Sequence, residues 1–399
     1  MIDSLLVGIV GSLLLFGQLG RISLGNGVQF YALELLVGFH VMLLLLRKRG
    51  AIKHLITSCG VEMKKKSKLR ISLKHVSIAW FLYVIALYLL TMWGKESSDN
   101  VKAGMYIVRV SMFALYFALL SYVHNCTYVV GRVVRIITIV TPALCLLQYI
   151  FVPDLRFLAQ IGWDPHMYRA VGLIFDPPVA GVVLGMLFFI SLVKNNRVGI
   201  TLNFLAIIFL FSRSTYIAVG SVTFLYLFYR KQYGLSFIWI VLLSLAIYLA
   251  PKTIPAYMNL ESSKIERVST VLSRRVEIEN GLRAWNSRPI FGIGYNRVGE
   301  YKKSLPSVYG SDIALNHSSS AFHSFWLTQL ASTGVVGFSL LAGAYLLAMR
   351  KNVLWALILA IPALIGILDN VVFHPFVLTL FILVYFSKVL DQPSSYSTH

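Results

Sequence analysis

Apolar runs of about 20 residues, each able to cross a bilayer as one helix, recur along nearly the whole chain. They lie near residues 2–19, 27–46, 76–93, 103–123, 133–152, 171–193, 235–250, 323–348, 353–369 and 372–389. No single aqueous core could bury so much apolar surface. With 57% hydrophobic and 13% charged residues, the chain reads as an all-α, polytopic integral membrane protein. The stretch 198–229 is interrupted by SRST around Arg213, so it is either one long helix or two short spans. Two spans fit the charge pattern better and bring the expected total to about twelve.

Charge sets the expected orientation. The connection between the second and third runs holds RKRG, Lys53, KKKSKLR and Lys74, ten basic residues that make it cytoplasmic by the positive-inside rule. With strict alternation from there, 19 Lys and Arg fall inside and six in the short outer connections. Both termini come out cytoplasmic. Residues 1–250 then hold nine spans, 251–322 form one large external loop, 323–390 hold three more spans, and 391–399 (DQPSSYSTH) form a cytoplasmic tail.

The first run, IDSLLVGIVGSLLLFGQL, lacks a basic n-region and a small-residue cleavage site before Arg21, so it reads as a span rather than a removable signal. Cys59 and Cys126 fall on the expected cytoplasmic side and Cys145 lies inside a span, which argues against a disulfide framework. The net charge of +20 would suggest nucleic acid in a soluble protein. Here most of that charge is the ordinary cytoplasmic excess, and nucleic acid is not the expected partner. No internal repeat or low-complexity tract is present.

The external loop is the unusual segment, with ten Lys and Arg against six Asp and Glu on the side where topology asks for no positive charge. It is either a solvated basic loop or a site for an anionic substrate at the membrane surface. Immediately after it comes AFHSFWLTQLASTGVVG, residues 321–337, which sets His323 at the head of an apolar run. On a continuous helix, residues 11 apart differ by roughly 20° after whole turns, so His323 and Gly334 are expected on one face with Gly337 nearby. Gly334 would lie about 16 Å deeper, and small residues three apart would admit a neighbouring helix. A histidine in this position also serves as a cap or an interfacial anchor, and only its surroundings favour catalysis.

Those surroundings are arginines. Arg213 interrupts an apolar run in FSRSTY, and SRRVEIENGLRAWNSRPIFGIGYN carries Arg274, Arg275, Arg283, Arg288 and Arg297. The planar guanidinium fork suits phosphate, and several at headgroup level could clamp a diphosphate. Arg213 can equally snorkel to lipid headgroups. A structural or lipid-contact role is expected for Arg109 in MYIVRVSMF. In FDPP, Pro177 and Pro178 either break a span beside Asp176 or begin a helix with Asp176 as its N-cap.

Together these elements resemble the membrane O-antigen ligase, O-antigen polymerase and protein O-oligosaccharyltransferase superfamily over about residues 165–345. HSFWLTQLASTGVVG is similar to the family's histidine motif: His, then Asn, Ser or Gln, nine residues, Gly, two residues and a small or polar residue. SRRVEIENGLRAWNSRPIFGIGYN resembles the segment that opens on an arginine, here Arg275, passes through a tryptophan, Trp285, and closes on Pro and Gly-x-Gly, Gly292 and Gly294. FSRSTYIAVG resembles the Ser-Arg element of a middle span and RAVGLIFDPPVAG the Arg-x-x-Gly segment ahead of another.

The resemblance implies a GT-C type fold in a bacterial inner membrane, with the active site on the periplasmic face. It implies a glycosyltransferase of cell-envelope polysaccharide biosynthesis, including lipopolysaccharide, that takes an undecaprenyl diphosphate-linked glycan as donor and a glycan, lipid or protein hydroxyl as acceptor. His323 becomes the general base, and Arg213 and Arg275, helped by Arg274 or Arg169, bind the diphosphate. Arg288, His317 and Asp176 are supporting candidates. His317, in ALNHSSSAFH, could compete as base but lacks the spacing to both glycines. No metal or other cofactor is expected, because the loop carboxylates Glu261, Glu266, Glu277, Glu279, Glu300 and Asp312 are scattered and no Asp-x-Asp pair occurs.

Two readings from other classes remain. A secondary transporter or flippase of an anionic lipid-linked substrate would suit twelve spans with an intramembrane arginine. It should show hydropathy repeated in two halves and charges near the midplane, whereas here polar residues concentrate in one loop. A non-catalytic envelope scaffold would leave His323 dispensable.

Overall fold

The computed structural model describes residues 2–23, 29–47, 73–93, 97–123, 126–161, 166–249, 268–305 and 321–391. The helices are α1 (Ile2–Phe16), α2 (Ala32–Arg47), α3 (Leu73–Thr91), α4 (Ser97–Leu120), α5 (Cys126–Phe151), α6 (Pro177–Val193) and α7 (Arg197–Phe209). They continue with α8 (Arg213–Tyr229), α9 (Tyr233–Leu249), α10 (Val268–Ser287), α11 (Val298–Lys303), α12 (Phe325–Met349), α13 (Val353–Ile365) and α14 (Pro375–Ser387). A short antiparallel hairpin, β1 (Arg21–Ser23) and β2 (Gln29–Tyr31), pairs Arg21 with Tyr31 between α1 and α2.

Among the described residues four helices are long and apolar enough to cross a membrane: Ile2–Gly20, Asp99–Leu120, Cys126–Phe151 and Phe325–Met349. Shorter apolar helices pack among them, and the chain is an α-helical membrane protein. The SRST break separates two helices, as the charge pattern favours. Phe211 takes a left-handed φ of 52° in the turn, and the Ser212 hydroxyl accepts from Thr215 N to start α8.

Polar punctuation between apolar runs repeatedly becomes a cap. Asp176, Asn196, Ser324 and Asn352 each accept a backbone N–H three residues on, at 3.2, 3.2, 3.3 and 2.8 Å. Each such cap stabilises its helix by roughly 1 kcal/mol. The two readings of FDPP thus resolve to the simpler one, in which Pro177 and Pro178 fill the first helical positions, where no N–H is needed.

The centre of the bundle is α6. Its sequence, PPVAGVVLGMLFFISLV, is apolar all round, and nearly every residue is buried. Gly181 and Gly185, one turn apart, let neighbours close in. A Cβ on Gly181 would stand 2.0 Å from Thr215 Oγ1 of α8, and one on Gly185 would meet Val219 of α8 and Ile361 of α13 at 2.9 and 3.0 Å. This small-residue seam fixes the N-terminus of α8 relative to the end of α13, where the residues of interest lie. By contrast, α9 packs on the outside against α8 and buries only Ser236.

Candidate functional site

His323 does not ride on the helix expected from its spacing to the glycines. The helix α12 begins at Phe325 with Ser324 as its N-cap, and Gly334 interrupts it with φ 64° and ψ −173°. A single face running from His323 to Gly334 is therefore corrected. Gly334 serves a different purpose, because its left-handed φ and missing side chain admit another backbone: a Cβ there would lie 2.2 Å from Ile290 O.

That backbone is the Pro-x-x-Gly-x-Gly segment after α10. Ile293 N and Gly294 N donate to Ala331 O and Ser332 O at 2.9 and 3.1 Å, and Val335 N donates to Pro289 O at 2.9 Å. The break in α12 frees carbonyls and amides, and the loop satisfies them. Gly292, with φ 75°, is required on the other side of the same contact, since its Cβ would fall 2.5 Å from the Ser332 carbonyl carbon. Tyr83 of α3 completes the clasp, donating to Thr333 O at 2.7 Å and Phe291 O at 3.2 Å. Buried Arg297 ties the loop to α3 and α4 through Thr91 Oγ1 at 3.2 Å and Asn100 Oδ1 at 2.5 Å.

Within this scaffold His323 sits on a short, firmly held turn. Phe325 N donates to Gly366 O at 2.9 Å, joining the head of α12 to the end of α13. Thr328 Oγ1 and Phe322 exchange hydrogen bonds at 3.1 Å, and buried Phe322 packs with Ala284, Val298 and Ala331. The turn faces a cleft also lined by Arg274, Glu277, Ile278, Leu327, Ile367 and Leu368. The close approach of α10 to α12 that forms it depends on Gly281, where a Cβ would stand 2.5 Å from Leu327.

Two ion pairs frame the imidazole. Arg274 donates to Asp369 Oδ1 at 2.9 Å, and the other Asp369 oxygen accepts from Ser214 Oγ at 2.8 Å. Three residues along the same face of α10, buried Glu277 accepts from Lys302 Nζ at 2.6 Å. Lys302 also donates to Ala321 O at 2.8 Å and lies 5.2 Å from the centre of the Phe322 ring. Among the described residues none hydrogen-bonds the imidazole of His323.

His323 precedes the spanning helix, and its environment can be read as a pKa. Burial pushes the imidazole below its ordinary value of 6.5, Glu277 opposes that, and weaker effects follow from Arg274, Asp369 and Lys302. It is therefore a neutral base at pH 7. Burial likewise lowers the Lys302 ammonium, against the pull of Glu277.

The other expected site residues divide. Arg213, the first residue of α8, is partly exposed and close enough to Asp369 to act on its charge, so it joins the cluster. Of the adjacent arginines on α10, the cluster takes Arg274; the Arg275 side chain is 77% exposed and bonds Glu279 at 3.1 Å. Arg169 is buried at the end of α7, where Ala170 N donates to Phe209 O at 2.9 Å, and its Nε has no hydrogen-bond partner among the described residues. Arg288 is exposed on the clasp segment. Asp176 caps α6, and His317 lies outside the described residues. No group of three His, Cys, Asp or Glu side chains sized for a metal ion occurs among the described residues.

Asp369, Ser214, Glu277 and Lys302 were not singled out from the sequence. Asp369 had a legible signal, since LDN places an acid directly after an apolar run, the same cost that drew attention to Arg213. Glu277 had a weaker one, its i, i+3 spacing from Arg274.

Residues 198–342 match a family described as O-Antigen ligase, a stretch a little over a third of the chain. It runs from the start of α7 through the clasp and His323 to the broken helix. No curated protein matches the chain. The family match supports assignment to the O-antigen ligase and polymerase superfamily.

Proposed function

We propose that this membrane protein, whose residues 198–342 match the O-Antigen ligase family, is a glycosyltransferase with His323 as its base. It moves a glycan from an undecaprenyl diphosphate-linked donor to a hydroxyl acceptor at the periplasmic face of a bacterial inner membrane. The proposal keeps the twelve-span, GT-C type arrangement with cytoplasmic termini and residues 251–322 outside. The observation that carries it is the cleft itself, where a neutral, uncommitted imidazole stands beside an arginine already held in place by a buried carboxylate.

The chemistry follows from those charges. An acceptor hydroxyl is far too weak an acid to ionise at neutral pH, so His323 takes its proton as the oxygen attacks the anomeric carbon. The bond from that carbon to the phosphate oxygen breaks, and its electron pair leaves with the lipid diphosphate. Arg274 and Arg213 meet the charge gained there, and because Asp369, itself fixed by Ser214, holds Arg274 beforehand, little reorganisation is needed. Arg275, exposed on the next face of α10, and buried Arg169 are secondary contacts for the same anion. No step requires a metal.

The test is transfer by purified protein in the presence of chelator, with lipid-linked glycan and acceptor. His323→Ala should lower turnover by about 10²- to 10⁴-fold while thermal stability holds. Full activity in that variant would remove His323 from the mechanism. Deletion in the host separates the two outcomes of the chemistry: single repeats on the acceptor mean a polymerase, and full-length polymer stranded on carrier lipid means a ligase.

A further inference from the structure

A base that takes a proton inside a cleft lined by Arg274, with Lys302 packed behind its Glu277 and Phe322, becomes a third cation there. The charged groups facing His323 are Arg274 and Glu277 from α10, Lys302 from α11 and Asp369 from the connection after α13. Asp369 is engaged on both oxygens, by Arg274 and by Ser214. Glu277 accepts from Lys302 Nζ on Oε2 at 2.6 Å, and it lines the cleft beside the imidazole.

Lys302 joins Glu277 to the turn that carries His323. Its ammonium grips Glu277, the carbonyl of Ala321 and the ring of Phe322, the two residues directly ahead of His323. A surface ion pair would be screened and worth little. This one is not at the surface: the side chains of Lys302 and Glu277 are 14% and 6% exposed.

Resting on the proposed base role of His323, we infer that Glu277 and Lys302 are positioning residues that set its basicity: Glu277 as counter-charge to the imidazolium formed during transfer, Lys302 as the anchor that holds both carboxylate and turn. During transfer the hydroxyl proton passes to the imidazole, the acceptor oxygen bonds the anomeric carbon, and the departing diphosphate takes the electron pair. The imidazolium so formed faces Glu277 and later returns its proton to solvent. Neither Glu277 nor Lys302 touches the reacting atoms in this scheme.

A merely structural ion pair would respond alike to loss of either partner. A tuning pair responds with opposite signs. Glu277→Gln removes the carboxylate that raises the imidazole pKa, so the acid limb of the kcat/KM profile should move down by about one pH unit. Its kcat should fall without a rise in KM for the lipid-linked donor. Lys302→Met keeps an apolar stem over Phe322 but removes a cation, so the acid limb should move up. Glu277→Gln with Lys302→Met removes both charges and should return the limb toward the wild-type position.

Independent of turnover, the pH dependence of His323 acylation by diethyl pyrocarbonate, read on its peptide by mass spectrometry, should shift in the same three directions. Opposite shifts of the single variants, with the double variant between them, establish the inference. Shifts of the same sign, or none in protein of wild-type melting temperature, overturn it. If His323→Ala stays active while the acylation shifts hold, the base assignment fails and the coupling survives. If His323→Ala is dead and no shift appears, the inference alone fails.

Discussion

Two of the charge clusters among these helices, one at the head of α2 and one around His323, differ in what their charges face. In the first, Glu34 at the head of α2 is 2% exposed and ion-paired to Arg109 of α4. Arg109 also donates to Gln29 O at 2.7 Å, Tyr31 N donates to Glu34 Oε2 at 2.9 Å, and Tyr31 Oη reaches His374 Nε2 at 3.4 Å. That cluster is closed, its charges turned toward one another and the backbone. In the second, Arg274 pairs with Asp369 and Lys302 with Glu277 around a histidine that stays uncommitted and open to a cleft. A buried charge in a membrane bundle is thus not a site in itself; a site needs one group left over.

Arg109 separates the two clusters most sharply. Arg109→Leu strands Glu34 without its cation, and breaking a buried pair on one side costs about 3–5 kcal/mol. Thermal unfolding should register that loss, while turnover per folded molecule stays at the wild-type value. Glu34→Leu in the same chain should recover most of the stability, because a buried pair replaced whole is close to neutral. Reduced turnover in the rescued double variant would show that the closed cluster belongs to the catalytic apparatus.

Arg274→Ala should give the opposite pattern. The expected loss is in rate per folded molecule, by about 10²- to 10³-fold for a donor aimed at developing charge, beside a fall in melting temperature from stranding buried Asp369. Kinetics and melting of this variant beside Arg109→Leu make the pair of measurements that matters. If Arg274→Ala merely unfolds, both clusters are structural.

How much of this contrast was legible in the sequence follows from chain separation. The apolar helices, the break at Arg213 and the Asp176 cap are local features, and each was readable within a few residues. The histidine segment and its glycines were readable as a pattern, yet the reason for Gly334 was not, because its partner Ile290 is on another element. Asp369 reaches Ser214 and Arg274 across 155 and 95 residues of sequence, so no window could pair them. The choice between Arg274 and Arg275 likewise depends on which face of α10 turns to α12, and in an isolated amphipathic stretch that face is decided by Gly281 and what it admits.

Gly334→Ala tests the scaffold that keeps the second cluster open. The left-handed φ costs about 1–3 kcal/mol for a residue with a side chain, and the added Cβ collides with Ile290 O. The clasp should loosen, lowering the melting temperature and raising the proteolytic susceptibility of the segment after α10. Unchanged protease sensitivity would mean that the loop is held by Arg297 and Tyr83 alone.

The smallest effect expected is the most specific to the difference between the clusters. His323 has its pKa held below 6.5 chiefly by burial, so as the proposed base it is already deprotonated at pH 7. Its activity contribution is complete above that pKa and is lost as pH falls through it, with one proton gained. The profile of kcat/KM should therefore be flat from neutrality upward and decline on the acid side below 6.5 with unit slope. The Glu34 and Arg109 variants should reproduce that limb unchanged, because their cluster contributes no group to the cleft. An acid limb centred well above 6.5 would mean that substrate, or a carboxylate nearer than Glu277, dominates the imidazole and that burial does not.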